Sequence, residues 1–315
     1  ARIPVGVRGR QRPERFATTI DRDAVTRSTG LSWADITRAA ALLRDSRKTV
    51  FCWAMGLTQH RNGVATIKEV VNVALAQGNI GRPGAGLFPV RGHSNVQGDR
   101  TMGIWERVPD SFLDALQAEF AFDPPREHGL DTVDSIRAMR DRKVKVFVGL
   151  GGNFLQAAPD TDVTTAALTG TRLTVQISTK LNRSHVVAGT DALILPALGR
   201  TEKDLTGGRA QRVTVEDSMS AVHASHGRSE PAGELLRSEV DILCGIARAT
   251  LGADHLVPWA EFAADYDRIR DRIGRVVPGC EAYTEKVARS GGFTLAHPPR
   301  DSRTFPTASG KAEFT

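Results

Sequence analysis

VKVFVGLGGN, residues 144–153, reads as a short β-rich strand running straight into a glycine turn. Beyond it, residues 160–169 carry a helical pattern and RLTVQI at 172–177 is a second strand. Residues 182–187 form a short helix, and ALIL at 192–195, closed by Pro196, is a third strand. Strand and helix alternating with such short links predicts a parallel sheet with right-handed crossovers, hence an α/β fold. The GLGGN turn has two readings. It is a structural link, or it lets glycine backbone approach a phosphate while a following helix supports the negative charge. It is not GxGxxG: the sixth position counted from Gly149 is Phe154, and no acid follows at the spacing of a ribose contact.

Toward the N-terminus, LSWADITRAAALL (31–43) is an amphipathic helix with cap candidates in the preceding STG. TVFCWAM (49–55) is a short apolar run that reads as a buried strand, with Cys52 a core residue. ATIKEVVNVALA (65–76) is a helix ended by Gly78 and Asn79. Between strand and helix lies GLTQHRNG (56–63). Gly56 and Gly63 permit tight turns there. Thr58, Gln59, His60 and Asn62 offer more donors and acceptors than a surface link needs.

GRPGAGLFPVRGHSNVQGDRTMG, 81–103, holds six Gly and two Pro, which argues against a regular element and for a long functional loop. Arg91 in its middle is an exposed surface arginine or, on a glycine-rich ordered loop, a bidentate anion binder. His93 is a donor or proton carrier near neutral pH.

Downstream, residues 111–142 contain two helical patterns separated by DPP, and QRVTVED is strand-like, its Glu216 and Asp217 reading as turn and cap residues. Residues 234–251 and 261–273 are helices, and 278–315 reads as a connector. HASH at 223–226 would pair His223 and His226 on a helix face, but the segment is loop-like and no third ligand is evident. Absence of GxSxG speaks against a serine hydrolase.

The 315 residues are 40% hydrophobic and 25% charged, the composition of a globular chain long enough for about two domains. No apolar run approaches the ~18 residues of a membrane span, and the N-terminal stretch lacks a signal-peptide centre. The formal charge is +6, and five Arg fall in the first fifteen residues. Without interleaved aromatics this reads as a solvated terminus rather than a nucleic-acid surface. Three scattered cysteines with no CxxC pair give no structural zinc or cluster site and fit a reducing, cytoplasmic compartment. The chain begins at Ala1 and stops at KAEFT, which reads as a piece of a longer polypeptide.

The stretch WAMGLTQHRNGVATIKEVVNVALAQGNIGRPGAGLFPVRGHSNVQGDRTMG (53–103) closely resembles the molybdopterin-dependent oxidoreductases, and within them the formate dehydrogenase alpha subunits. GNIGRPGAG followed by PVRG and NVQG carries the match. QISTKLNRSHVV, ALILPALGRTEKD and VEDSMSAVHASHG resemble a bacterial formate-dehydrogenase-like branch, and FPTASGKAEF resembles the family's link to a C-terminal domain.

The resemblance implies parallel-sheet, dinucleotide-binding-like domains of the formate dehydrogenase / DMSO reductase type. Residues 1–105 would be the end of an α/β domain with the active-site loop 81–103. Residues 106–260 would be a dinucleotide-binding-like βαβ half, and 261–315 a helical connector. It implies a molybdenum (or tungsten) bis(molybdopterin guanine dinucleotide) cofactor, with a 4Fe-4S cluster in a part N-terminal to this segment.

Residue by residue, Arg91 matches the PVRG arginine that holds the anionic substrate beside the metal, and His93 would relay a proton. Met55, Gly56, Thr58 and Gln59 match a turn against one pterin. Gly151, Gly152 and Asn153 match a pterin-phosphate turn. Gln176, Ser178 and Lys180 fall where the family contacts guanine or its phosphates. No cysteine sits at a matching ligand motif, so no metal ligand is assigned.

Two positions depart from the family. His93 replaces the usual glutamine, and Ile177 stands where an aspartate commonly holds guanine. The implied activity is two-electron oxidation of formate or another small substrate, with electrons leaving through iron–sulfur clusters toward a partner subunit. The alternative is a catalytically inactive structural subunit that keeps the fold.

Overall fold

The computed structural model describes residues 20–314. The arginine-rich stretch with Arg2, Arg8, Arg10, Arg12 and Arg15 lies outside the described residues. The chain forms two compact units. One holds the residues up to Ser94 together with Ser218–Ser220 and the segment from Leu295 onward; the other holds Asn95–Asp217 and Ala221–Thr294.

The first two helices among the described residues of the first unit start by local capping chemistry. Arg22–Thr29 begins where the Asp21 side chain accepts the Ala24 N–H, and Trp33–Asp45 where Ser32 accepts that of Asp35. β1 (Val50–Trp53) then runs parallel to β2 (Gly86–Pro89), in register from Val50 opposite Gly86 to Trp53 opposite Pro89. The helix Gly63–Ala76 connects them.

Three expectations change here. The strand is four residues long, and Met55 already belongs to a one-turn helix, Met55–Thr58. Its side chains alternate between half-buried and exposed, and Cys52 is exposed rather than core. The glycine-rich stretch 81–103 is not one long loop, because it contains β2 and the helix Val96–Thr101.

The second unit is built on the predicted parallel sheet. β3 (Val146–Leu150), β4 (Leu173–Ser178) and β5 (Asp191–Pro196) lie in the order β3-β4-β5, all parallel. β4, in the centre, is buried on both faces. On one side Leu155, Ala167 and Leu168, from the helices Phe154–Ala157 and Thr161–Thr169, pack with Ile136, Met139 and Phe147. On the other, Val175 and Ile177 meet Ile242 and Ile246 of the helix Glu239–Leu251. Leu155, Leu168 and Ile177 are almost wholly buried, each stabilising the fold by roughly 1.5–3 kcal/mol.

Three antiparallel strands complete the unit: β6 (Val213–Glu216), β7 (Ala221–Ser225) and β8 (Phe293–Thr294). Asp217 is the turn residue expected, its carboxylate accepting the Ala221 N–H at 3.0 Å, but Glu216 is a buried strand residue. HASH is not a loop. His223 lies inside β7 and His226 one residue past its end, so residues three apart project to opposite sides and the helix-face pair does not form.

The segment expected as one helix over 261–273 is two, Trp259–Ala264 and Tyr266–Val276. They break at Asp265, whose side chain caps the second by accepting the Asp267 N–H. The presumed connector carries the helix Tyr283–Val287 and β8.

Tyr266 ties this corner together. Its hydroxyl donates to Asp204 at 2.6 Å and pairs with Ser238 at 2.5 Å, while Gln211 accepts its N–H. Burial first, then Asp204, pushes the phenol pKa far above its ordinary value, so it stays a donor. Tyr266→Phe leaves the half-buried Asp204 carboxylate and the buried Ser238 hydroxyl each short of one partner and lowers stability by ~1–3 kcal/mol. This is read as a lower denaturation midpoint of the full-length protein; an unchanged midpoint contradicts it. Among the described residues no helix is long and apolar enough to cross a membrane.

Candidate functional site

In the first unit the candidate residues gather at the carboxyl ends of β1 and β2. The chain leaves β1 through Ala54 and coils into the single turn Met55–Thr58, where the Met55 carbonyl accepts the Gln59 N–H at 2.9 Å and the Thr58 hydroxyl at 3.4 Å. His60 closes the next turn by accepting the Gly63 N–H at 2.9 Å. Gly63 is required there: a Cβ would lie 2.7 Å from the Thr58 carbonyl oxygen. Gly56 is different, since a Cβ there would meet nothing within 4 Å. Its surroundings are open, so no contact within the chain demands glycine at that position.

The second strand arrives at the same edge. The Val90 N–H donates to the Trp53 carbonyl at 2.7 Å, extending the parallel pairing one residue beyond β2. Arg91 follows immediately, exposed, with Gly92 and then His93, also exposed. A Cβ built on Gly92 would stand 3.9 Å from the Met55 sulfur. The structure therefore brings the Met55–Gln59 turn and the Arg91–His93 segment side by side. Carboxyl ends of parallel strands are where α/β proteins hold ligands. A guanidinium and an imidazole two residues apart on such an edge are equipped to hold a small anion and carry a proton.

In the second unit the candidates lie at the carboxyl ends of β3 and β4. Gly151 and Gly152 adopt φ of 70° and 72°, a conformation that glycine enters without strain, and a Cβ on either would meet nothing within 4 Å. The Gly151 N–H is already given to the Ile177 carbonyl at 2.7 Å. A single helical turn, Phe154–Ala157, follows the glycine turn, and the helix expected over 160–169 runs Thr161–Thr169. Support for an anion from a helix terminus is accordingly less than the sequence pattern suggests.

Gln176 stands opposite Gly149 in the sheet, and its Oε1 lies 2.8 Å from where a Gly149 Cβ would be, so the close approach depends on glycine. Gln176 is only 5% exposed, and its Nε2 is buried without a hydrogen-bond partner. Ser178 is half-buried, its hydroxyl donating to the Lys180 carbonyl at 2.7 Å, and Lys180 is exposed. Ile177 is fully buried in the core and presents nothing to a ligand.

The structure adds residues that the sequence reading left out. The Asn182 amide donates to the Gly152 carbonyl at 2.8 Å, Ser184 donates to the Asn153 side chain at 2.9 Å, and the Leu155 N–H donates to Ser184 at 3.0 Å. His185 completes a capping box by accepting the Asn182 N–H on Nδ1. That bond places the proton of the neutral ring on Nε2, which is also buried without a partner. The signal was present as Asn182 three residues before a side chain able to reach back. What the sequence did not show is that this turn staples the GLGGN backbone.

These features fit a phosphate-bearing group. The glycine backbone is open, a lysine stands at the same sheet edge, and one buried amide lacks a partner. Cys244 and Cys280 are buried, and burial raises both thiols, that of Cys280 to about 11.

The chain matches the molybdopterin oxidoreductase family over residues 32–248. It is 61% identical to an uncharacterized oxidoreductase of Mycobacterium tuberculosis over 292 residues, 93% of this chain and 38% of that protein. It is 42% identical to protein YdeP of Escherichia coli over 290 residues, 92% of this chain and 38% of that protein. Formate dehydrogenase H of Escherichia coli is 38% identical over 90 residues, 29% of this chain and 12% of that enzyme. The chain thus spans about 38% of the length of the more similar relatives.

Proposed function

This chain belongs to the molybdopterin oxidoreductase family, and we propose that it is the central part of a catalytic subunit holding a molybdenum bis(molybdopterin guanine dinucleotide) cofactor and oxidising formate or another small anion. The observation that carries the reading is the meeting of the Met55–Gln59 turn with the Arg91–His93 segment at one sheet edge. The similarity to formate dehydrogenase H supports the substrate class. Dinucleotide-binding character for the β3-β4-β5 sheet belongs to the same proposal, supported by its parallel order and open glycine turn.

Met55, Gly56, Thr58 and Gln59 would lie against a pterin. Gly151, Gly152 and Asn153, with Gln176, Ser178 and Lys180, would hold the phosphates and guanine of a nucleotide arm. When bound, the cofactor supplies the two-electron redox chemistry. The chain's own residues bind and orient. The Arg91 guanidinium grips the substrate carboxylate through two parallel N–H donors and stabilises charge as the reaction proceeds. His93 accepts or delivers a proton at its imidazole. Electrons would leave through iron–sulfur clusters in polypeptide outside this segment, toward a partner subunit. The chemistry of His93 differs from that of the glutamine common in formate dehydrogenases, which is why the substrate class is drawn wider than formate.

The test is anaerobic reduction of a dye acceptor by the full-length enzyme, with formate first and then other small carboxylates and oxyanions. Saturable turnover with a small anion supports the reading, and no turnover across the series contradicts it. Cofactor retention gives a second check. Gly152→Val fills the open side of the turn with a side chain that also disfavours φ of 72°. The variant is expected to lose most of its guanine nucleotide on purification while keeping its fold; full retention argues against this turn as the phosphate site.

A further inference from the structure

The second unit contains a cavity of about 960 Å³ away from the sheet edges described above. Its walls come from the segment after the helix Val96–Thr101, the start of the helix Asp110–Phe120, and the end of the helix Tyr266–Val276 with the turn beyond it. This volume falls at the upper end of the range for small-molecule pockets, ~300–1,000 Å³.

Two aromatic rings line it. Trp105 is 44% exposed, and neither it nor Phe112 has a ring partner among the described residues. Phe112 lies against the backbone at Gly103, whose φ is 81° and whose Cβ would fall 2.8 Å from the ring. Both rings border the space, and Phe112 sits at a contact that only glycine allows. Large apolar aromatic surface facing a concave, water-accessible space is the ordinary basis of planar-ligand recognition.

The charge at the rim is positive. Arg100 has its nearest carboxylate, Glu106, at 3.9 Å, beyond hydrogen-bond length, and reaches the Ile104 carbonyl only at 3.5 Å. Arg275 shares Glu119 with Arg272, so two guanidiniums meet one carboxylate there. Glu281 is the opposing acid of the lining. The Gly279 N–H holds its carboxyl below the usual range, and Lys286 lies 3.8 Å away, so its charge is locally offset.

We propose that this cavity is a second ligand site and takes a planar aromatic carboxylate, its ring against the aromatic lining of Trp105 and Phe112 and its carboxylate on Arg100. The apolar walls select the ring, and the loosely paired guanidinium selects the anion. A carboxylate there gains charge-assisted hydrogen bonds that Arg100 does not make to Glu106. Arg100, Thr101 and Gly103 fall in the stretch 81–103 that the resemblance places at the active site, but none of the lining residues is assigned to the pterin, the nucleotide or the substrate.

The probe is 2-naphthoate, titrated calorimetrically into the full-length protein, with 2-naphthamide as the uncharged comparison. One saturable site per chain is expected, with the carboxylate preferred over the amide. Arg100→Gln, at a half-exposed side chain whose loss does not threaten folding, weakens naphthoate about tenfold or more and leaves naphthamide unchanged. Trp105→Ala weakens both. Absence of saturable binding at millimolar naphthoate overturns the proposal, as it would if other polypeptide filled the cavity. Equal affinity in wild type, Arg100→Gln and Trp105→Ala also overturns it, because the ligand then binds elsewhere.

Discussion

Arg91→Ala in the full-length protein is expected to lower kcat/KM for the proposed small anionic substrate by about 100-fold or more, equivalent to ~2.7 kcal/mol at ~1.36 kcal/mol per decade. Arg91 follows directly on the last backbone pairing of β1 and β2, at the edge that also carries the Met55–Gln59 turn. The side chain is exposed, so its removal leaves the core intact. The loss is therefore expected in kinetics and not in folding. Arg91→Lys keeps the charge but not the two-pronged geometry and recovers only part of the activity. A fall in kcat as well as a rise in KM separates a group that stabilises developing charge from one that only captures substrate. Turnover close to wild type in Arg91→Ala contradicts the assignment.

Gly98→Ala is expected to lower stability by ~2–5 kcal/mol, combining steric overpacking with a lost buried hydrogen bond. Asn95 sits in the left-handed region at φ 68°, where its Oδ1 accepts the Glu216 N–H at 3.0 Å and its amide donates to Asp99 at 3.2 Å. A Cβ on Gly98 would lie 2.1 Å from that Oδ1. The amide cannot withdraw without giving up the N–H of a strand residue that is only 4% exposed. Asn95→Ala removes the same link without the clash and is expected to show a smaller loss. The check is the unfolding midpoint of both variants. A wild-type midpoint for Gly98→Ala would mean that the Asn95 bond to β6 does not carry this weight.

Legibility followed burial. RLTVQI was readable as a strand because β4 is covered on both faces and its apolar run is continuous. VKVFV was displaced: the strand runs Val146–Leu150, through Gly149, because pairing of Gly149 with Gln176 extends the ladder into the glycine turn. β2 was missed because GLFP combines glycine and proline in four residues, and only its partner β1 makes it a strand. Cys52 was misread for a related reason. An apolar run signals burial only where a second layer covers it, and β1 alternates between half-buried and exposed. The break at Asp265 was legible in principle as a helix cap, yet the charged periodicity on either side masked it.

Site residues divide in the same way. Arg91 and the Met55–Gln59 turn stood out because polar groups followed a strand, and the structure brings them to one edge. The staple from Asn182, Ser184 and His185 to the glycine turn spans about thirty residues of sequence, beyond what local pattern reveals. Gln176 was expected as a contact from its place in the motif. In the structure it is buried, with an unsatisfied Nε2, and its geometry depends on a glycine in the neighbouring strand.

The measurement closest to the central claim is the molybdenum and pterin content of the full-length polypeptide purified from molybdate-supplied cells. The account predicts stoichiometric metal with guanine nucleotide released on denaturation, and depletion of that nucleotide in Gly152→Val. A folded protein free of metal and pterin would contradict it and leave a structural subunit in which Arg91 serves no chemistry.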